Sequence, residues 1–333
     1  MNFDINTAIA YPLNGYNSPH QRFTYQRKEY PQLVNLEEKL AEIYKAQKAL
    51  IVNSGMEAFT TLLDYYLDDG DTIMINRNLY AEAQLWLKAI KRYDIIMADF
   101  HDLDALKKLI QMTNPKLLHL DCPSMKQEWY NIKEIANIAH EYGAKLSVDN
   151  SIVSFYYYNP ILDGADFVPE SYSKYVCGHG DTMAGALIFK DTPAPKNGVE
   201  TVDFFEWRGR CVNPLQVYNI ERGIETLGVR LQKSTDTAKY IHEMLLDKKI
   251  HHLYAGTAAN IVIPCENPLK TMEKFVNTKM FTPLSAYGAT FSIITPSRRA
   301  DSYQDDMNYI RLSFGMEDKM ALASAVKAAL ELN

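Results

Sequence analysis

Short apolar runs of five or six residues recur through the first two thirds of the chain. They are TIMIN (72–76), DIIMA (94–98), LLHLD (117–121), KLSVD (145–149), DFVPES (166–171) and GALIFK (185–190). Each has strand length and is rich in aliphatic residues. The stretches between several of them carry apolar positions three or four apart instead. In IKEIANIAHEY (132–142), Ile132, Ile135, Ile138 and Ala139 make one face, the spacing of a helix packed on a core. An earlier helix signal lies in NLEEKLAEIYKAQKAL (35–50): Asn35 stands at the cap, Glu38 follows three residues later, and Leu36, Leu40 and Ile43 share a face. Strands alternating with helices predict an α/β fold, a mostly parallel sheet with helices on both faces.

The pattern changes at both ends. Residues 1–34 are polar, aromatic and proline-bearing without a sustained period, which predicts an extended arm. A break at DTPAPKNG (191–198) precedes a helix around 214–245. Strand-like ANIVIP (259–264), YIRLSFG (309–315) and an amphipathic last helix, KMALASAVKAALEL (319–332), predict a smaller C-terminal α+β region. The expected organisation is an arm over 1–35, a large domain over 36–230 and a small domain over 231–333.

Composition narrows the function classes. The chain has 333 residues, a net charge of −6 and a pI near 5.8, so no basic footprint points to nucleic acid or an anionic membrane. No apolar run approaches the roughly 18 residues of a membrane span, and MNFDINTAIAYP lacks a signal peptide's basic start and apolar core. Cys122, Cys177, Cys211 and Cys265 form no C-x-x-C pair. They read as unpaired thiols of a reducing cytoplasm, without a metal site.

Lys174, in PESYSKYVCGHGD (169–181), stands among small hydroxyl and apolar residues. A buried lysine loses proton affinity, and a neutral amine forms a Schiff base with an aldehyde. If that aldehyde is pyridoxal phosphate, it needs an anion seat, a carboxylate on its ring nitrogen and a wall for its ring. The Ser-Gly turn of NSGMEA (53–58) opens a helix whose Gly55 and Met56 amides suit a phosphate. Ser171 and Ser173 add hydroxyls beside Lys174. Asp149 ends a strand and suits the ring nitrogen, and Tyr80 follows another strand and suits the ring face. Each feature taken singly has an ordinary explanation as a cap, a strand end, a core aromatic or a solvated charge. Their order and their places at strand ends argue for one site.

In these stretches the chain resembles the Cys/Met-metabolism family of pyridoxal-phosphate enzymes, the group of cystathionine synthases, cystathionine lyases and methionine γ-lyase. The likeness runs through YQRKEYPQLVNLEEKLAEI (25–43), NSGMEA, LYAEA, IANIAHEYGAKLSVDN, DGADFVPESYSKYVCGHGDTMAGAL, NIERGIETL and YIRLSFGMED. It implies a fold-type I pyridoxal-phosphate transferase-like architecture. It also implies an amino-acid lyase that eliminates a β or γ leaving group, most simply a thiol. Lys174, Tyr80 and Asp149 are then catalytic, with Gly55, Met56, Ser171 and Ser173 on the phosphate. Tyr25 and Arg27 match arm residues that reach a neighbouring subunit's phosphate, implying a homodimer or homotetramer with shared sites. Arg311 and Ser285 match the substrate carboxylate's contacts, while His179 and Asp181 are read as structural.

The departures fall on the substrate side. The family's Glu-x-Pro-x-Asn-Pro loop is represented by DCPSMKQEW (121–129), with Met125 where an asparagine is expected. Asn150 stands for a threonine, Glu82 lies near the mouth, and the Ser-Leu-Gly-Gly loop is represented by SAYGATFS (285–292). A β- or γ-replacement transferase is the alternative within this chemistry. A non-catalytic binding protein on the same fold is the alternative outside it.

Overall fold

The computed structural model describes residues 10, 23, 25–297 and 308–332. Residues 1–9, 11–22 and 24 of the expected arm lie outside the described residues. The chain enters α1 (Pro31–Tyr44), β1 (Lys48–Val52), α2 (Gly55–Tyr66), β2 (Thr72–Asn76), α3 (Ala81–Ile90), β3 (Asp94–Ala98), α4 (Leu103–Thr113) and β4 (Leu117–Asp121). It continues through α5 (Ile132–Glu141), β5 (Lys145–Asp149), the short α6 (Ser154–Tyr157), β6 (Phe167–Glu170), β7 (Gly185–Phe189), α7 (Thr201–Trp207) and α8 (Pro214–Asp247). The sheet runs β1-β7-β6-β5-β4-β2-β3. β3, β2, β4, β5 and β6 are parallel neighbours, and β7 alone runs against both strands beside it.

The period of two in the strands sorts their side chains onto two faces. Ile51, Met74, Leu118, Leu120, Leu146 and Val148 meet the apolar stripes of α1, α4 and α5 on one side. Leu50, Val52, Ile73, Ile75, Leu117 and Leu187 meet α2, α3 and α7 on the other. This is the α/β architecture expected from the pattern.

Two local expectations are corrected. α1 starts at Pro31, not after Asn35. Proline suits a first helical turn because the amide it lacks has no partner there. Tyr30 at the cap is fully buried and donates its hydroxyl to the Val212 carbonyl, 3.1 Å away. The helix also ends at Tyr44, where Lys45 turns left-handed with φ 53°, so KALIV becomes the edge strand β1 instead of more helix.

The C-terminal region forms a four-stranded sheet ordered β8-β11-β10-β9, from β8 (Asn260–Pro264), β9 (Thr282–Pro283), β10 (Ile293–Pro296) and β11 (Tyr309–Ser313). α9 (Pro268–Asn277), α10 (Lys319–Ala329) and the end of α8 cover it over a separate apolar cluster. α8 runs without a break through position 230, where the sequence suggested a division.

Candidate active site

The carboxyl ends of the parallel strands define the crevice. β1 leads through Asn53 into α2, which Ser54 caps by accepting the Glu57 amide at 3.1 Å. Gly55 and Met56 open that helix, where backbone amides have no intrahelical acceptor and the helix dipole favours an anion. A Cβ at Gly55 would stand 2.7 Å from the Ser171 Cβ, so only glycine lets the helix start this close to the end of β6. A Cβ at Gly185 would stand 2.3 Å from the Ser54 carbonyl oxygen. The Ser171 amide donates to the Ser151 hydroxyl at 2.7 Å, and the Ser173 hydroxyl accepts the Ala184 amide at 2.9 Å. Gly55, Met56, Ser171 and Ser173 thus meet in one cradle of amides and hydroxyls, a donor set that suits a phosphate.

Lys174 lies in the turns after β6, partly buried. Burial lowers its amine to about 8; the Arg311 guanidinium adds to this and Asp149 opposes it. Asp149 ends β5 and accepts the Ser151 amide at 2.8 Å. Burial pushes its carboxyl up, against the Ser151 hydrogen bonds and the Lys174 charge. Directly across the parallel register stands Asp121, the last residue of β4. One of its oxygens accepts the Tyr80 amide at 2.7 Å, and the other is buried with no hydrogen-bond partner. Its carboxyl is raised well above the usual range by burial first and then by the Asp149 charge. Tyr80 stands at the cap of α3, and its ring is partly open to solvent.

Asp121 was not a candidate from the sequence, although its signal was there. LLHLD and KLSVD both end in aspartate, and adjacent parallel strands of equal length bring such ends together.

Arg311 sits in the middle of β11 and is 7% exposed. Its Nη2 donates to the Ala286 carbonyl at 3.2 Å, while its Nε is buried with no hydrogen-bond partner. An unmet guanidinium donor in a crevice fits an incoming carboxylate. Ser285 is exposed, one residue before Ala286. Tyr287, which the sequence reading passed over, is buried beside both cations. The Lys174 Nζ lies 5.2 Å and the Arg311 guanidinium carbon 4.8 Å from its ring centroid.

Met125 packs against the apolar cluster that includes Tyr287, Tyr175, Ile152 and Val153. Asn150 is buried and donates to the Tyr158 carbonyl at 2.8 Å. His179 and Asp181 make local contacts, with the Cys177 carbonyl at 2.6 Å and with Arg222 at 2.7 Å. Tyr25 and Arg27 are exposed, and Arg27 hydrogen-bonds Glu206 of α7 at 2.9 Å, not a residue of the cradle.

α8 braces both cations. Arg230 donates to the Tyr175 and Val176 carbonyls at 2.8 and 3.1 Å, gripping the turn that bears Lys174. One helical turn on, Ser234 donates to the Gly315 carbonyl at 3.1 Å, just past the strand that bears Arg311.

The model of a family described as Cys/Met metabolism PLP-dependent enzyme matches residues 4–260. An L-methionine gamma-lyase of Treponema denticola is 26% identical, the match covering 93% of this chain and 85% of that protein. A cystathionine gamma-synthase of Escherichia coli is 27% identical over 94% of this chain and 89% of its own. In fold, the chain is similar to the crystal structure of cystathionine gamma synthase from Xanthomonas oryzae pv. oryzae in complex with cystathionine. The TM-score is 0.88 at 22% identity, covering 98% of this chain and 92% of that one.

Proposed function

Because this chain belongs to the Cys/Met-metabolism pyridoxal-phosphate-dependent enzymes, lyases and transferases of amino acids, we propose that it eliminates a β or γ leaving group, a thiol, from an α-amino acid. The observation that carries the reading is the partly buried Lys174 amine at the carboxyl ends of the parallel strands, its proton affinity lowered by burial and by the Arg311 charge, with Asp149 acting against both. Gly55, Met56, Ser171 and Ser173 would hold the phosphate, Asp149 would pair with the ring nitrogen, Tyr80 would serve as the wall for the ring, and Lys174 would supply the amine for the aldehyde. Pyridoxal phosphate, when bound, supplies a sink for the electron pair left when the Cα–H bond breaks. Arg311, with Ser285 beside it, orients the substrate carboxylate. Lys174 takes the Cα proton, and the Tyr80 hydroxyl gives a proton to the departing sulfur.

The active form proposed is a cytoplasmic homodimer, or a dimer of dimers, in which Tyr25 and Arg27 of one protomer complete the phosphate seat of its partner. The exposed apolar side chains of Met183, Trp207 and Leu215 support a protein-covered surface here. Met183 lies 3.2 Å from the Ser173 hydroxyl, and Trp207 ends the helix that anchors Arg27. Among the described residues no helix is long and apolar enough to cross a membrane.

The test is a screen of thioether and thiol amino acids for keto acid, ammonia and released thiol, with borohydride fixing the cofactor to Lys174. Keto acid formed without an added thiol supports elimination. Turnover only when a second thiol is supplied makes the enzyme a replacement transferase. A colourless protein that cannot be reconstituted overturns the catalytic reading.

A further inference from the structure

The two cations of this site come from distant parts of the chain, and like charges do not hold each other in place. What lies between them is the tripeptide Ala286-Tyr287-Gly288. The Ala286 carbonyl accepts a hydrogen bond from Arg311 at 3.2 Å. Gly288, at φ +81°, fits so tightly that a Cβ would stand 2.7 Å from the Tyr175 nitrogen and 2.9 Å from the Lys174 carbonyl carbon. Its own amide donates to the Ser313 hydroxyl at 3.2 Å, two residues along β11 from Arg311. Tyr287 between them is 8% exposed, packed beside Tyr175 at 5.7 Å between ring centroids. An aromatic face attracts an ammonium or guanidinium within about 6 Å of its centroid, and more so where water is excluded. Both distances here, 5.2 and 4.8 Å, lie inside that range.

We propose that Tyr287 is a positioning residue: its ring holds the Lys174 amine and the Arg311 guanidinium together, setting where a substrate carboxylate sits relative to the amine. This rests on reading Lys174 as the reactive amine and Arg311 as the carboxylate clamp. The attraction belongs to the ring face and needs no hydroxyl, so phenylalanine preserves it and an aliphatic side chain of similar bulk removes it. The groups acting on the Lys174 amine are Arg311 and Asp149, together with the ring itself. Around Tyr287 stand Asp149, Arg311, Tyr175 and Asp121. Losing the ring while keeping the site dry removes a contact that favours the ammonium form, so the amine titrates lower.

The experiment compares Tyr287→Phe, Tyr287→Leu and Tyr287→Met in the full chain. In the cofactor-stripped protein, competitive acetylation of Lys174 against pH is followed by mass spectrometry of its peptide. In the reconstituted enzyme, the affinity for L-alanine, which carries the carboxylate but no leaving group, is read from the cofactor's absorbance. Tyr287→Phe is expected to stay within about twofold in affinity, with the Lys174 midpoint unmoved. Leucine and methionine are expected to weaken L-alanine about tenfold and lower the midpoint by about half a unit or more. Methionine carries the comparison if leucine does not fold, because it adapts to irregular cavities. Equal behaviour of the phenylalanine and aliphatic variants overturns the proposal, and so does a loss in Tyr287→Phe equal to theirs. If borohydride fails to fix the cofactor to Lys174 in the unaltered enzyme, the functional reading falls. The acetylation midpoints then still decide whether the ring holds the amine.

Discussion

Lys174 has a lowered proton affinity because burial disfavours its charged form and the Arg311 guanidinium repels it, with Asp149 acting against both. Aldehyde capture needs the neutral amine, whose fraction falls about tenfold for each pH unit below the midpoint. Reconstitution of the stripped protein with pyridoxal phosphate should therefore accelerate as pH rises towards about 8 and level off above it. The regain of yellow colour follows the rate, and Lys174→Ala should yield no borohydride-fixed cofactor. Asp121 invites a second prediction. Burial and then the Asp149 charge hold its carboxyl well above the usual range, and one of its oxygens accepts the Tyr80 amide. Asp121→Asn keeps an acceptor and should leave stability and cofactor affinity nearly unchanged. Asp121→Ala leaves a partly buried N–H unpaired and should cost about 1–3 kcal/mol in urea unfolding. An asparagine variant as damaged as the alanine one would refute this acceptor role. Lys174 was legible in the sequence because its neighbours contradict a surface lysine. Asp121 was missed although two strands of equal length both end in aspartate, because their adjacency is a matter of topology, and Tyr287 was missed because its meaning comes from a packed loop that no local pattern encodes.

Among the elements, α2 carries the sharpest conflict between local and tertiary demands. Alanine is a better helix former than glycine by about 1 kcal/mol, yet a methyl at position 55 meets the Ser171 Cβ at 2.7 Å. Gly55→Ala should push the helix start away from Ser171 and weaken pyridoxal-phosphate binding, measured by dialysis, while thermal stability changes little. Tighter binding in that variant would refute the cradle. The central strands were read to within a residue or two, because buried parallel strands are short aliphatic runs. β1 was absorbed into the preceding helix, because KAQKAL continues its composition and only the left-handed turn at Lys45 separates them. The start of α1 was misplaced for a related reason: Asn35 resembles a cap, but Pro31 and the buried Tyr30 decide the boundary.

For the whole molecule, the arm gives the decisive test. If Tyr25 and Arg27 serve the partner's phosphate, mixing Arg27→Ala and Lys174→Ala chains creates hybrids with one complete site. Free exchange between dimers should restore about a quarter of the sites, read as turnover against either variant alone. No gain on mixing would mean that each arm serves its own protomer. The helix expected around 214–245 is α8, and it runs unbroken through the division expected at 230, because apolar spacing predicts a helix but says nothing of where one region gives way to the next.

That helix has a mechanical consequence. Its 34 residues form a rod about 50 Å long, and Arg230 and Ser234, one turn apart, act as rivets to the two halves of the crevice. A hinge that swung one half away from the other would have to shear those rivets or bend the rod between them. The segments that bear Lys174 and Arg311 are thus tied to one unbroken support, one helical turn apart.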